Sequence, residues 1–303
     1  MRILSLLPSA TEIVCALGYG EQLVGRSHEC DRPAWVTDLP ICSRPRIRVD
    51  VSSNEIDQSV KAIVAEGLSV YEIDREMLRS LAPDFIVTQT QCEVCAVSER
   101  DVEQAVNEWL GGQGEIISLN PNRLEDVWAD INRVATALGN PRNGEDVVAA
   151  LRARMAAVEE RAARNESKPR VALIEWIEPL MAGGNWMPEL VEMAGGKNLF
   201  GKAGEHSPWL EIDALGESDP DVVVVAPCGF DLDRTRHEMP PLTARPEWKA
   251  LSAVKNGRVY LTDGHHYFNR PGPQLVESLE ILAELLQPET VEAHHRGQGW
   301  MPL

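Results

Sequence analysis

Two cysteines in the stretch "QCEVCAVSERD" have a spacing that metal and redox chemistry both use. Cys92 and Cys95 are separated by two residues, as are thiolate pairs that bind one soft metal ion. A closed zinc site needs four ligands, so two of His28, Cys30 and Cys42 would have to be brought near by the fold. Redox-active cysteine pairs have the same spacing. The third interpretation is two ordinary, half-buried thiols at the start of a helix. A metal site at Cys92, Cys95 and His28 is therefore one of three interpretations.

His28 lies in a second suggestive stretch, "SHECD", directly after an apolar run that predicts a strand. Ligands of open α/β sheets bind at the loops that follow the strands, and neutral imidazole is the commonest protein ligand of metals. His28 either lines a binding cleft, coordinates a metal carried by the ligand, or is a hydrogen-bonded loop residue. We favour the first interpretation, with Glu29 as a polar neighbour.

A third group of candidate side chains follows the last predicted strand: His265, His266, Tyr267, Phe268 and Arg270. Because adjacent side chains of an extended chain point to opposite sides, at most one of the two histidines is expected to serve a site. His206, before "SPW", is a further candidate. No nucleophile elbow, phosphate loop or acid–base pair stands out, and "AGGKNLFGKAG" lacks the GxxxxGK[ST] order. The sequence predicts a binding protein and not an enzyme.

The elements that must position these residues alternate between strand-like and helix-like segments. The predicted strands are "RILSLL", "QLVGRS", "DFIVTQT", "GEIISL", "RVALIEW", "DVVVVAP" and "GRVYLTD". Helical periodicity covers residues 9–18, 54–66, 98–110, 123–138, 186–194 and 272–286. This alternation predicts an α/β fold with mostly parallel central sheets.

One long helical segment divides the chain. The stretch "NGEDVVAALRARMAAVEERAARNESKP" opens with a turn at Asn143-Gly144, stops before Pro169 and predicts a helix of about twenty residues, or about 30 Å. The expected parts are an N-terminal α/β lobe over 1–140, an interdomain helix over 141–167, a C-terminal α/β lobe over 168–290 and a loose tail over 291–303. The cleft between two such lobes is the default ligand site.

Composition excludes several classes of function. The 303 residues carry 29 basic and 47 acidic side chains, a net charge of −18 that repels nucleic acid and anionic membranes. No apolar run approaches the ~20 residues that span a bilayer. We therefore expect no nucleic-acid partner and no membrane span.

The start of the chain, "MRILSLLPSATEIVCALG", predicts strand, turn and helix and not a secretory leader. Pro8 ends the apolar run early, Ser9 and Glu12 have the spacing of a capping box, and Gly18 is placed to close the helix. The expected location is cytoplasmic, with reduced thiols. An extracytoplasmic location would follow if the chain were trimmed or were exported by another route.

These motifs, in order, resemble the substrate-binding proteins of ABC importers for cobalamin, ferric siderophores and haem, and the cobalamin branch most closely. The matching stretches are "SLLPSATEIVCALG", "LVGRSHECDRP", "LAPDFIVTQ", "GGKNLF", "SPWLEID", "SDPDVVVV" and "NRPGPQLVESLEIL". The resemblance implies two α/β lobes joined by one long helix, a small-molecule ligand held between them and an ABC permease as partner. We expect a monomer.

The resemblance also implies particular site residues. The turn from Pro8 to Thr11 and the loop from Ser27 to Asp31 would face the ligand, aromatic residues would suit the flat corrin ring, and Gln89 replaces a wall aromatic. The expected ligand-binding residues are Pro8, Ser9, Ala10, Thr11, His28, Glu29, Gln89, Trp176, Trp186, His206, Trp209, His266, Tyr267, Phe268 and Arg270. One carboxylate per lobe would dock on the permease: Glu76, counted back from "LAPD", and Asp213, counted back from "SDPD" in a segment two residues shorter.

The leading hypothesis is a protein that binds cobalamin or a related corrinoid noncovalently. The alternative is a cytosolic protein that handles a metal ion or metal chelate through Cys92, Cys95 and His28. A third is a chelatase-like enzyme acting on a tetrapyrrole, because chelatases have a similar two-lobed plan. Since import receptors work outside the membrane, the start of the chain favours a cytosolic relative of the family.

Overall fold

The computed structural model describes residues 1–66, 68–89, 102–104, 106, 114–165 and 167–303. Two compact units are formed. The first consists of Met1–Val51, Glu55–Pro121 and Glu125–Ala149, and the second of Ser52–Asn54, Asn122–Leu124 and Ala150–Leu303. Within the described residues, no helix combines the length and the apolar character that crossing a membrane requires.

The first unit is built on a parallel sheet. Its strands are β1 (Ile3–Ser5), β2 (Leu23–Arg26), β3 (Ser43–Pro45), β4 (Tyr71–Ile73), β5 (Phe85–Gln89) and β6 (Glu115–Leu119). The parallel sheet has the order β2-β1-β5-β6, and β3 and β4 form a separate antiparallel pair. Every residue of β1 is buried, as expected for a central strand covered on both faces.

The helices that belong to this unit for most or all of their length are α1 (Pro8–Ala16), α2 (Ser53–Ala65), α3 (Arg75–Leu81) and α4 (Leu124–Ala137). Short 3₁₀ turns cover Gly20–Gln22 and Ala34–Asp38. The helix predicted over 98–110 falls largely outside the described residues.

Helix α1 begins one residue earlier than the sequence predicts. Pro8 is its first residue and Leu7 its N-cap, with no side-chain hydrogen bond at the cap. The predicted capping box at Ser9 and Glu12 is therefore wrong. The physical reason is that proline has the backbone angle that the first helical position requires and has no N–H to leave unpaired there.

The end of α1 agrees with the prediction. Gly18 has φ +78°, and its amide donates to the carbonyl of Cys15 at 2.9 Å. The amide of Tyr19 donates to Val14 at 3.0 Å, which completes the two bonds of a Schellman motif. The predicted closure at Gly18 is confirmed.

Helix α5 (Pro141–Ala162) has 22 residues and is about 33 Å long. Its last residue in the first unit is Ala149. The turn predicted at Asn143-Gly144 is wrong, because both residues lie within the first turns of the helix. A Cβ on Gly144 would lie 2.7 Å from Cβ of Ala135 on α4, so this glycine allows close helix packing and does not make a turn.

The second unit has a mixed sheet of order β12-β11-β10-β7-β8, with β9 also paired to β7. Its strands are β7 (Arg170–Trp176), β8 (Met181–Ala182), β9 (Lys197–Asn198), β10 (Val222–Val225), β11 (Val259–Thr262) and β12 (Trp300–Pro302). Strands β7, β10 and β11 are parallel, and β8 and β12 run antiparallel. All four valines of β10 are fully buried at the centre of this sheet.

Its helices are α6 (Met187–Met193), α7 (Ile212–Ser218), α8 (Leu232–Glu238), α9 (Pro240–Thr243), α10 (Pro246–Ala250), α11 (Ser252–Lys255) and α12 (Leu275–Leu286). Trp248 on α10 and Leu215 on α7 pack into the core below β10. Trp248 is only 2% exposed, and burial of its large ring contributes to the stability of this layer.

The chain end is not the loose tail predicted over 291–303. Residues 300–302 form β12, which pairs with β11 through Thr262 and Trp300, Leu261 and Met301, and Tyr260 and Pro302. The ring of Trp300 packs edge-on against Tyr260 at 5.5 Å between centroids. This strand was not recognised in the sequence because it has only three residues and follows the mostly polar segment 292–298.

Both units lead into a central strand in the same way. A seven-residue helix, α3 or α7, is followed by a residue with φ +40°, Ala82 or Asp219, then by proline and aspartate before β5 or β10. Asp84 accepts the amide of Arg2 at 2.8 Å, and Asp221 accepts that of Arg170 at 2.7 Å. The same connection therefore occurs once in each unit.

Candidate functional site

The parallel sheet of the first unit brings predicted site residues to one edge. Pro8 follows β1, His28 follows β2 and Gln89 is the last residue of β5. Because parallel strands end at the same edge of a sheet, these three positions lie where α/β sheets bind their ligands. Gln89 is almost completely buried and pairs with Leu119 of β6.

The turn at the start of α1 is packed tightly. Ser9, Ala10 and Thr11 are all buried. Thr11 Oγ1 lies 2.8 Å from Ser5 Oγ and 3.0 Å from Cys30 Sγ, so it ties the helix to β1 and to the loop after β2. Ser9 Oγ, in contrast, has no hydrogen-bond partner among the residues that the structure describes.

His28 is held in a defined orientation. Its Nδ1 lies 3.0 Å from Ser43 Oγ, and its ring packs against Tyr71 at 5.2 Å between centroids. Burial, and to a lesser extent the charge of Arg26, lowers the pKa of His28 from 6.5 to about 4. The imidazole is therefore neutral at neutral pH. The Tyr71 hydroxyl also donates to Glu29 Oε1 at 3.2 Å, which links both predicted residues to one cluster.

Arg26 organises this loop and was not among the predicted site residues. Its guanidinium is buried and donates to the carbonyl oxygens of Ser27 at 3.1 Å, Cys30 at 3.0 Å and Thr37 at 3.0 Å. The signal in the sequence is an arginine at the end of an otherwise apolar strand. Cys92 and Cys95 lie outside the described residues, so the metal site stays a prediction.

In the second unit, strand pairing places three large side chains side by side. Trp176 pairs with Met181, and Met181 forms a bridge to Trp209; we call these three residues the tryptophan row. Directly paired residues of antiparallel strands have their Cβ atoms about 5 Å apart on one face. Trp209 is 57% exposed, while Trp176 and Met181 are half-buried. The row therefore offers a broad apolar surface.

Phe230, after β10, is only 2% exposed; it supports Trp176 from within and was not predicted. Its ring lies 5.2 Å from that of Trp176, and the guanidinium carbon of Arg234 lies 3.9 Å from the Phe230 ring centroid. Trp176 Nε1 donates to the carbonyl of Glu178 at 3.1 Å, which fixes the indole. The result is two packed aromatic rings with a cation on one of them.

Glu175, next to Trp176, adds a carboxyl group. Ser207 donates to its Oε2 at 2.6 Å and itself accepts the amide of Gly184 at 3.0 Å. Burial raises the pKa of Glu175 against the opposing effect of these hydrogen bonds. His206, which precedes Ser207 in the chain, is exposed, and its Nδ1 lies 3.0 Å from the Ser207 carbonyl oxygen.

The loop Asp263–Arg270, called here the histidine loop, follows β11. Asp263 accepts the amides of His265 at 3.0 Å and His266 at 2.9 Å, and its Oδ2 lies 2.7 Å from His266 Nδ1. The two imidazole rings are 4.6 Å apart. The expectation that they point to opposite sides is wrong, because the loop is a turn and not an extended chain. Arg270 Nη2 lies 3.1 Å from His265 Nε2.

Trp186 and Phe268 support the histidine loop from within. Trp186 Nε1 donates to the carbonyl of Phe268 at 2.7 Å, and the amide of Phe268 donates to Ser278 Oγ at 2.9 Å. Both aromatic side chains are buried, and Phe268 has φ +65°. Tyr267 is also buried, with its ring edge-on to His295 at 6.3 Å. These contacts make Trp186 and Phe268 scaffold residues.

The two predicted docking carboxylates occupy equivalent positions. Glu76 is the second residue of α3 and Asp213 the second residue of α7, and both are exposed. Glu76 precedes Asp84 by eight positions and Asp213 precedes Asp221 by eight, so the expectation that the segment of Asp213 is two residues shorter is wrong. Asp213 also lines an open cavity of about 470 Å³ together with three further acids, Glu217, Asp219 and Glu247.

Comparison with known proteins identifies the class. A family described as "Periplasmic binding protein" matches residues 3–265, and the chain belongs to this family.

Particular relatives extend the likeness over nearly the whole chain. It is 23% identical to an uncharacterized ABC transporter substrate-binding lipoprotein of Bacillus subtilis, over 95% of this chain and 81% of the relative. It is also 23% identical to a vitamin B12-binding protein of Vibrio campbellii, over 93% and 88%. Among solved structures it resembles a periplasmic heme-binding protein from Pseudomonas aeruginosa, with TM-score 0.70, 22% identity and 95% and 93% coverage. It resembles the periplasmic vitamin B12-binding protein BtuF of Vibrio cholerae at TM-score 0.67, 21% identity and 95% and 96% coverage.

Family membership decides several predictions. The two-lobed α/β fold is confirmed, and so is the prediction of a binding protein and not an enzyme. The family serves ABC importers, so the partners are a small-molecule ligand and a permease. The predicted cytoplasmic location is wrong, because the family and its relatives are periplasmic proteins or lipoproteins, which work outside the cytoplasm. That prediction depended on the first residues alone, and these form β1 and α1 of the fold.

Proposed function

We propose that this protein is the binding component of an ABC importer for cobalamin or a related corrinoid, which it binds noncovalently. The tryptophan row carries this proposal. A corrin is a broad apolar ring with a fringe of amide groups, and Trp176, Met181 and Trp209 offer a flat apolar surface about three side chains wide.

Polar groups beside the row suit the amide fringe. Glu175 precedes Trp176 in the chain, Ser207 lies two residues before Trp209, and the two side chains are hydrogen-bonded to each other. Backbone and side-chain groups that are fixed before binding lose little freedom when a ligand arrives. The vitamin B12-binding relatives support the same ligand class.

Haem is the second candidate, and His28 is the observation that favours it. Haem is equally flat, and its iron takes a neutral imidazole as a ligand. His28 has a pKa lowered to about 4 and an orientation fixed by Ser43, so it is a neutral imidazole at neutral pH.

Calorimetry on ligand-free protein with cyanocobalamin, haemin and a ferric siderophore tests the proposal. Cyanocobalamin is expected to bind most tightly. Trp176→Ala and Trp209→Ala should each weaken binding roughly 30-fold, as expected for aromatic residues that dominate an interface. Trp35→Ala is the matched control, because Trp35 is 45% exposed and lies outside the row. Binding of haemin with no binding of cyanocobalamin would replace the first proposal by the second.

We propose further that Glu76 and Asp213 dock on arginines of the permease. Their equivalent, exposed positions in α3 and α7 support this assignment. Glu76→Lys and Asp213→Lys should each reduce ligand-stimulated ATP hydrolysis by the permease in vesicles and leave ligand affinity unchanged. Glu145→Lys, on the exposed face of α5, should change neither. We expect the protein to act as a monomer, which light scattering would check.

A further inference from the structure

We infer that Glu284 is a positioning residue for the histidine loop, which it holds through the C-terminal segment of the chain. The inference rests on the proposed function insofar as that loop belongs to the ligand site. Glu284 lies on α12 with a side chain that is only 2% exposed. Such a buried carboxylate is costly unless hydrogen bonds satisfy it.

Four N–H groups from one short segment satisfy Glu284. Its carboxylate accepts the amides of His294 at 3.0 Å and His295 at 3.1 Å, and His295 Nδ1 at 2.7 Å. Trp300 Nε1 donates to the other oxygen at 2.6 Å. Residues 294–300, which we call the latch segment, are thereby fastened to α12.

The latch segment fits closely against α12. A Cβ on Gly299 would lie 2.7 Å from Cδ1 of Ile281, so only glycine allows this approach. The amide of Gly299 donates to the carbonyl of His295 at 2.7 Å, and that of Gly297, at φ +84°, donates to Trp300 at 2.8 Å. The segment is therefore a compact turn that ends at the first residue of β12.

From the latch segment, two contacts reach the histidine loop. The amide of Asp263 donates to the carbonyl of Gly299 at 2.9 Å, directly beside the pair Thr262 and Trp300. The ring of Tyr267 meets that of His295 edge-on. Asp263 is the residue whose carboxylate gathers the two loop histidines, so its backbone position sets the position of the loop.

Glu284 and Asp263 use the same arrangement. Each accepts the amides of two successive histidines and Nδ1 of the second histidine at 2.7 Å. One arrangement shapes the histidine loop, and the other fastens the segment against which that loop rests. A loop fixed before the ligand arrives binds it with less entropic cost.

Hydrogen exchange on the ligand-free protein tests the positioning role. In Glu284→Gln, which keeps the shape but not the charge, the amides of Asp263 and Tyr267 should exchange roughly tenfold faster, as for a locally opened segment. Amides of β10 should keep their protection. Glu280→Gln is the matched control on the same helix, because Glu280 pairs with Arg154 at 2.9 Å and does not touch the latch segment.

Unchanged exchange at Asp263 in Glu284→Gln would overturn the inference, and so would equal acceleration at β10, which indicates general destabilisation. If Glu284→Gln fails to fold, Trp300→Phe is measured instead, since it removes the Nε1–H donor to Glu284 and keeps an aromatic ring at this position. It should accelerate the same amides by a smaller factor, and no acceleration there would likewise overturn the inference.

Calorimetry with cyanocobalamin then measures whether the hydrogen bonds of Glu284 to the latch segment affect ligand affinity. Glu284→Gln should bind roughly tenfold more weakly, the cost of ordering a loop that is no longer fixed, and Glu280→Gln should bind as the wild type does. Equal affinity of Glu284→Gln and wild type would overturn the positioning role. Failure of the wild type itself to bind cyanocobalamin would contradict the proposed ligand, whereas the exchange test needs no ligand.

Discussion

Oδ2 of Asp263 lies 2.7 Å from Nδ1 of His266, and the same carboxylate accepts the amides of both loop histidines. A histidine whose Nδ1 donates to a carboxylate has its ring orientation and tautomer fixed. The hydrogen bonds with His266 lower the pKa of Asp263, although burial alone would raise it. The carboxylate is therefore ionised at neutral pH.

Asp263→Asn should weaken ligand binding roughly tenfold, because the amide replaces one charge-assisted hydrogen bond and leaves the imidazole free to rotate. Calorimetry with cyanocobalamin measures the affinity, and nitrogen NMR of His266 reports the tautomer. Asp233→Asn on the exposed start of α8 is the control. An unchanged His266 tautomer in Asp263→Asn would contradict the assignment.

His28 should titrate near pH 4 in the folded protein, since burial and Arg26 lower its pKa to about 4. An unfolded chain binds a proton at this residue near pH 6.5. The contribution to stability is therefore complete above pH 6.5 and is lost as the pH falls from 6.5 to 4, by about 1.4 kcal/mol per pH unit. Urea unfolding at a series of pH values measures it. His28→Phe should flatten the dependence in this range, and a His28 signal that titrates near 6.5 would contradict the prediction.

Arg26→Met should lower the free energy of unfolding by about 2–4 kcal/mol, because it leaves buried carbonyl groups of the loop after β2 without donors. Arg48→Met, at a residue whose side chain is 75% exposed, should change it by less than about 0.5 kcal/mol. Denaturant unfolding of both variants gives the comparison. Equal effects would show that Arg26 does not support the loop.

Two glycines within helices should respond in opposite directions to alanine. Gly144→Ala should destabilise by about 1–3 kcal/mol, since its Cβ would overlap with Ala135. Gly216→Ala on α7 should stabilise by about 0.5–1 kcal/mol, because nothing lies within 4 Å of the new Cβ and alanine favours the helix. Thermal melting distinguishes the pair, and a stabilising Gly144→Ala would refute the packing role of this glycine.

Central strands were predictable because their signal is local. The four valines of β10 form a continuous apolar run, as strands buried on both faces do. The start of α1 was predicted one residue late because proline and serine both favour helix starts, and only the backbone decides which is first. The expectation that the side chains of His265 and His266 point to opposite sides was wrong because this alternation applies only to an extended chain, and the loop is a turn.

Contacts between distant residues could not be predicted from local patterns. Arg2 and Asp84 are 82 positions apart, and no periodicity links them. The same holds for Glu284 and Trp300, which are 16 positions apart. Within the candidate site, the sequence indicated which loops matter, whereas Arg26, Phe230 and Glu175 required the fold.

Strand β12 also covers what would otherwise be the open side of β11. An uncovered strand presents unpaired N–H and C=O groups that pair readily with a second chain. A protein shortened before residue 294 would expose the backbone of Val259–Thr262 and lose the latch segment as well. Such a shortened form is expected to aggregate during expression, so purification tags and truncations are best kept away from Leu303.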